Sequence, residues 1–180
     1  MMRVVIPLAD GVEEMEAVIL IDVLRRAEWR VLVAGLNKLD ITASRGVNLR
    51  ADMLLNEVDE DRVDMMICPG GLGGTKRLMA SSAVKAMLRS MHGQGKWVGS
   101  ICAAAMVLNA AGVLDGRSWT AHPSVQAEIG VGRLSQDRVV LDGRVVTSQG
   151  PGTAFEFALA LVTAVDGQEK AEGIAAAMVL

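Results

Sequence analysis

Short β-branched runs that stop abruptly, alternating with stretches of helical periodicity, constrain this chain more than any other feature of its sequence. Arg3–Ala9 (RVVIPLA) stops at Asp10-Gly11, and the apolar residues of Glu13–Glu28 then recur at helical spacing. Arg30–Leu36 and Val63–Cys68 read as further buried strands, the second ending in Pro69-Gly70-Gly71-Leu72-Gly73-Gly74. Between them, Asp40–Leu55 suits a small strand excursion or a loop. Ser82–His92 reads as a helix, Trp97–Ile101 as a short strand and Ala103–Ala111 as an alanine-rich helix. Asp142-Gly143, flanked by Arg138–Leu141 and Arg144–Ser148, signals a two-residue hairpin. Thr153 is placed to cap a last helix over Ala154–Val165, after the breaker Gly150-Pro151-Gly152. Such an order predicts an α/β fold with a mostly parallel sheet, helices on both faces, and ligand sites beyond the carboxyl ends of the strands. No repeat, low-complexity tract or linker interrupts it, so residues 1–180 are expected to form a single domain.

Composition removes several function classes. The hydrophobic fraction is 51%, yet Asp22, Asn109, Gly112 and Asp115 cut the apolar blocks well short of the ~18 residues that a spanning helix needs. Arg3 is followed closely by Asp10, Glu13, Glu14 and Glu16, which leaves no room for a secretory apolar segment, so a cytoplasmic location is expected. A net charge of −3 and no basic run longer than Arg25-Arg26 disfavour a nucleic-acid partner. Cys68 and Cys102 are expected to be free thiols. His92 and His122 are too far apart for metal-ligand spacing, so no metal is expected.

Three strand ends should converge on one sheet edge: Asp10–Glu16, Pro69–Gly74 and Ser100–Ala105. Cys102 stands between an apolar strand and a run of small residues, where a sharp turn can expose a nucleophile and a helix N-terminus can favour its thiolate. On spacing alone, a free cysteine is more often a small core hydrophobe. Glu16 lies on the apolar stripe of Ile19, Leu20, Val23 and Ala27, so burial should raise its pKa and let a protonated carboxyl donate to Cys102. The alternative, an acid that complements the helix dipole, fits Glu13 and Glu14 better. Backbone N–H groups of Pro69-Gly70-Gly71 could stabilise an oxyanion together with Ala103, but the loop has neither Walker A nor dinucleotide-loop spacing. His122, in a polar loop, is a candidate base, whereas His92 reads as a charge at a helix C-terminus.

Gly11-Val12-Glu13-Glu14-Met15-Glu16, Cys68-Pro69-Gly70-Gly71, Ser100-Ile101-Cys102-Ala103, Ala121-His122-Pro123 and the stretch from Thr147 to Phe157 occur together and in order. In this combination the chain resembles the ThiJ/PfpI superfamily, in the DJ-one branch and its bacterial relatives. The resemblance implies a flavodoxin-like sandwich that forms a homodimer. It also implies Cys102 as nucleophile, Glu16 as its protonated partner, oxyanion amides at Gly71 and Ala103, and His122 near the thiol. Arg45 matches an arginine that the branch places near the dimer-related site. Two departures are Ala103-Ala104-Ala105, where the branch commonly has a glycine and a proline, and Gln149, where its human member has arginine. The implied activity is cofactor-free conversion of methylglyoxal or glyoxal to 2-hydroxy acids, or repair of early glycation adducts. A redox-responsive chaperone or stress sensor using the same cysteine is the alternative. A peptidase of the PfpI kind is disfavoured because Ala103 stands where that elbow carries histidine.

Overall fold

Val4, Val5 and Ile6 have no exposed surface, because strand β1 (Arg3–Leu8) lies inside a sheet covered on both faces. The computed structural model describes residues 1–180. Further strands follow in chain order: β2 (Arg30–Gly35), β3 (Asp40–Thr42), β4 (Asn48–Arg50), β5 (Met53–Leu54), β6 (Met65–Cys68) and β7 (Trp97–Ile101). Then come β8 (Ser118–Trp119), β9 (Arg133–Leu134), β10 (Val139–Asp142) and β11 (Val145–Ser148). Seven strands form the main sheet in the order β10-β11-β7-β6-β1-β2-β5. Every pairing in it is parallel except β10 with β11.

The helices are α1 (Glu14–Arg26), α2 (Leu72–Ala80), α3 (Ser82–Gly93), α4 (Ala105–Ala110), α5 (Pro123–Gln126), α6 (Ala154–Asp166) and α7 (Gln168–Ala177). Helix α1 packs on α6, and α6 on α7, while α2 meets α3 and α4 across the sheet from them. One hydrophobic cluster of 54 buried residues joins these layers. After β2 the chain returns to the other side of β1 to lay down β6. The crevice at the carboxyl ends of β1 and β6 is therefore where the strand order reverses, the usual place for a ligand in such sheets.

Several sequence expectations need correction. Helix α1 stops short of Glu28, which takes a left-handed φ of 63°. The Gly-rich stretch after Gly71 is the first turn of α2 and not a loop. Gly73 and Gly74 are tolerated there because their bare Cα atoms press against the backbone of Gly11 and Val12. The expected Ala103–Ala111 helix starts later, after a 3₁₀ turn at Cys102–Ala104. Thr153 does not cap α6, since its hydroxyl bonds to Ser148 and Gly150. His92 lies in the last turn of α3 as expected, and burial and the nearby Arg117 lower its pKa. Asp40–Leu55 is the small strand excursion expected, the antiparallel pair β3-β4 followed by β5, the free edge of the sheet. Helix α7 was not foreseen, and Gly167, with φ of 95°, separates it from α6.

Candidate active site

The tip of β7 turns so sharply that Cys102 adopts φ of 63°, a left-handed backbone that a side chain disfavours by about 1–2 kcal/mol. The turn is held because the Cys102 carbonyl accepts a hydrogen bond from the His122 N–H at 3.2 Å. The neighbouring β6 ends in Cys68, then Pro69 and Gly70, and here the chain must pass extremely close to the turn. A Cβ on Gly70 would stand 2.6 Å from Cys102 Cβ and 2.7 Å from Glu16 Oε2, so only glycine fits. Gly71, at φ of 83°, packs equally tightly on the backbone of Gly11 and Glu13.

Glu16 enters from the first turn of α1, whose start is set by Glu13: its Oε2 accepts the Glu16 N–H at 2.8 Å. The Glu16 side chain has no exposed surface. Its Oε2 accepts from Gly70 N–H at 2.7 Å, while Oε1 is buried without a partner. Burial pushes the carboxyl up to about 7, and the Gly70 amide and the Cys102 thiol pull the other way. On the sulfur, burial and then the charge of an ionised Glu16 push the thiol up to about 12, opposed by the amides of Gly71 and Ala103. Two charges in one dry site repel, so the pair releases its first proton far more readily than its second. The helix N-terminus expected to lower the thiol pKa is missing: α4 has six residues and begins three positions after Cys102. What favours negative charge on the sulfur is the pair of backbone amides.

Cys102, Ala103, Gly71, His122 and Arg45 all line one pocket of about 470 Å³, with Glu13, Ser44 and Ser124 among the other walls. His122 shares the pocket, but its Nδ1 is engaged by Ser124, whose backbone N–H donates at 3.2 Å and whose hydroxyl lies at 2.8 Å. Its Nε2 edge carries no protein partner. Gly70 differs from the oxyanion role expected of it: its N–H is spent on Glu16, and it does not line the pocket. Gln149 also points elsewhere, donating to the carbonyls of Gln136 and Asp137. The sequence reading missed Glu14. Besides standing in the first turn of α1, it is buried and accepts from Ser44 Oγ at 2.8 Å and Arg45 N–H at 2.9 Å. That bond fixes the turn carrying Arg45 at the pocket rim, and no local pattern could have linked residues 31 positions apart.

This arrangement can be set beside known proteins. The DJ-1/PfpI family model matches residues 2–164. Protein DJ-1 homolog B of Arabidopsis thaliana is 44% identical over 93% of this chain, which spans 39% of that longer protein. The glutathione-independent glyoxalase DJR-1.2 of Caenorhabditis elegans is 35% identical, with 92% of this chain and 89% of the relative covered. The crystal structure of Drosophila melanogaster DJ-1beta superposes with a TM-score of 0.96 at 41% identity, covering 99% of this chain and 98% of that one. The match in sequence runs through every strand of the parallel sheet and the match in structure through nearly the whole chain, and on both grounds the chain belongs to the DJ-1/PfpI family.

Proposed function

We propose that the protein is a cofactor-free enzyme that uses Cys102 to convert small 2-oxoaldehydes, such as methylglyoxal and glyoxal, into 2-hydroxy acids. Early glycation adducts are larger substrates for the same chemistry. The observation that carries this reading is the left-handed Cys102 beside a fully buried carboxyl whose Oε1 has no partner. We take the reactive form to be the thiolate beside a protonated Glu16, because the sulfur takes amides from Gly71 and Ala103 and the carboxyl only that of Gly70. A relative at 35% identity named as a glutathione-independent glyoxalase supports the same reaction class.

In this reaction the thiolate adds to the aldehyde carbon, and the new alkoxide is met by the Gly71 and Ala103 N–H groups. Glu16 first gives its proton to that alkoxide and then, as a carboxylate and with His122 assisting through its free nitrogen, takes the proton from that carbon and returns it to the adjacent carbonyl carbon. The aldehyde carbon is thereby oxidised to a thioester and its neighbour reduced to a carbinol. Water then cleaves the thioester, releasing the 2-hydroxy acid and restoring Cys102. No external oxidant or reductant enters. Arg45 supplies the cation at the rim, suited to an acidic substrate group.

The working unit is read as a homodimer of single-domain chains in the cytoplasm, where thiols stay reduced. Met15 and Val18 support the dimer, since they are exposed three residues apart on one face of α1. The deciding experiment measures lactate formed from methylglyoxal by wild type and Cys102→Ser. Turnover in the first and none in the second is expected. Negligible turnover in both would move the reading to a redox sensor or chaperone built on the same thiol.

A further inference from the structure

At the sheet edge opposite Cys102, where β7 begins and β10 turns into β11, His92, Lys96, Arg117 and Arg144 surround a hollow of about 440 Å³ with Gly95 and Gly143. No carboxylate and no apolar side chain lines it. In a chain of net charge −3, such a gathering of cations is unexpected unless each is held in place. Each of the three permanent cations is held. Lys96 Nζ donates to the Glu60 carbonyl at 2.9 Å. Arg144 Nη1 donates to the Gly95 carbonyl at 2.6 Å, and its guanidinium lies 5.8 Å from the centre of the Trp97 ring. Arg117 Nη1 donates to Asp142 Oδ1 at 3.1 Å.

These anchors position charge without cancelling it. Lys96 and Arg144 are fixed by carbonyl oxygens, which carry no net charge, and neither is paired with a carboxylate. Asp142, which holds Arg117, has its charge divided among Arg117, Arg133 and the Ser118 N–H. The wall is also kept open. Gly143 has φ of 63°, and a Cβ there would stand 2.9 Å from Arg117 Nη1. Fixed guanidinium and ammonium donors around an unfilled hollow match the needs of a phosphoryl group, whose oxygens accept several charge-assisted hydrogen bonds at once.

We propose that this hollow is a binding site for a phosphoryl group, borne by a small metabolite or as free phosphate. It is separate from the cysteine pocket: the five residues of β7 lie between the two, about 16 Å of extended strand. A ligand here touches no residue placed in the reaction.

Amide and imidazole NMR spectra of the full chain test this directly, titrated with inorganic phosphate, ribose 5-phosphate and ribose. Saturable shifts are expected at Gly93–Lys96, Gly143 and Arg144 with both phosphates and none with ribose. An anion beside His92, Arg117, Lys96 and Arg144 should also raise the His92 pKa, which burial and Arg117 now hold down. Lys96→Gln and Arg144→Gln should each weaken binding about tenfold, while methylglyoxal turnover stays at the wild-type value and the melting temperature falls by no more than about 2–4 °C. Tighter binding of ribose 5-phosphate than of phosphate identifies a phosphorylated metabolite, and equal binding identifies the free ion. Shifts that spread over the surface without saturating, survive both substitutions, or appear equally with ribose would overturn the proposal.

Discussion

Cys68 ends one strand and Cys102 directly follows the end of its parallel neighbour, and both thiols are pushed up to about 12, yet they arrive there by different routes. For Cys68, which is 0% exposed, burial is the whole cause. For Cys102, 9% exposed at a pocket wall, burial is joined by a neighbouring carboxyl and opposed by two amides. The first thiol can change only if the core opens. The second responds to where one proton sits, which is a property chemistry can exploit.

Four experiments can break or sharpen that contrast. The largest effect is on turnover: Cys102→Ala should lose about a thousandfold or more in kcat with methylglyoxal, and Cys68→Ala should stay within about twofold. Equal losses would erase the distinction. Next comes the pH dependence of stability. Below pH 4.5 folded and unfolded chains both hold the acidic proton of the Glu16–Cys102 pair; with rising pH the unfolded Glu16 releases its proton first, and the folded pair keeps its first proton to about 7. Stability from this group is therefore full below 4.5 and lost as pH climbs through 7, a fall of about 3 kcal/mol. Urea midpoints measured across that range should show Glu16→Gln falling much less than wild type.

The third effect is of about one to two pH units. If the site's first proton leaves the sulfur, Glu16→Leu removes a hydrogen-bond donor to the thiolate and raises the pH at which iodoacetamide alkylates Cys102. A lowered value would place the charge on the carboxylate instead. Smallest is a difference in order: brief exposure to dilute peroxide should oxidise Cys102 before Cys68, read by peptide mass spectrometry. The reverse order would mean that β6 opens more easily than the pocket admits oxidant.

Much of this was legible in the sequence because burial on both faces leaves plain traces. The runs at Arg3, Arg30, Val63 and Trp97 lie within a residue or two of the observed strands, and the small residues after Cys102 permit its sharp turn. What stayed hidden depended on partners distant in the chain. Leu72-Gly73-Gly74 reads as a breaker because glycine is a poor helix former, and only the Gly11–Val12 backbone explains why it begins a helix. Likewise, nothing near Glu14 announces Ser44 and Arg45, and nothing near Gly70 announces that its amide serves Glu16. The hairpin lies one position later than its Asp142-Gly143 signal, since Asp142 still pairs with Val145.

The left-handed backbone at Cys102 sets thermal persistence and reactivity against each other at a single codon. Glycine would occupy that φ without steric conflict, recovering part of the 1–2 kcal/mol, less the ~0.5–1 that its freedom in the unfolded chain removes. A library randomised at this position and selected only for survival of heating should therefore favour glycine over alanine. The same library selected for growth on toxic aldehydes should return cysteine, so its retention in a lineage records demand for the chemistry and not for the fold.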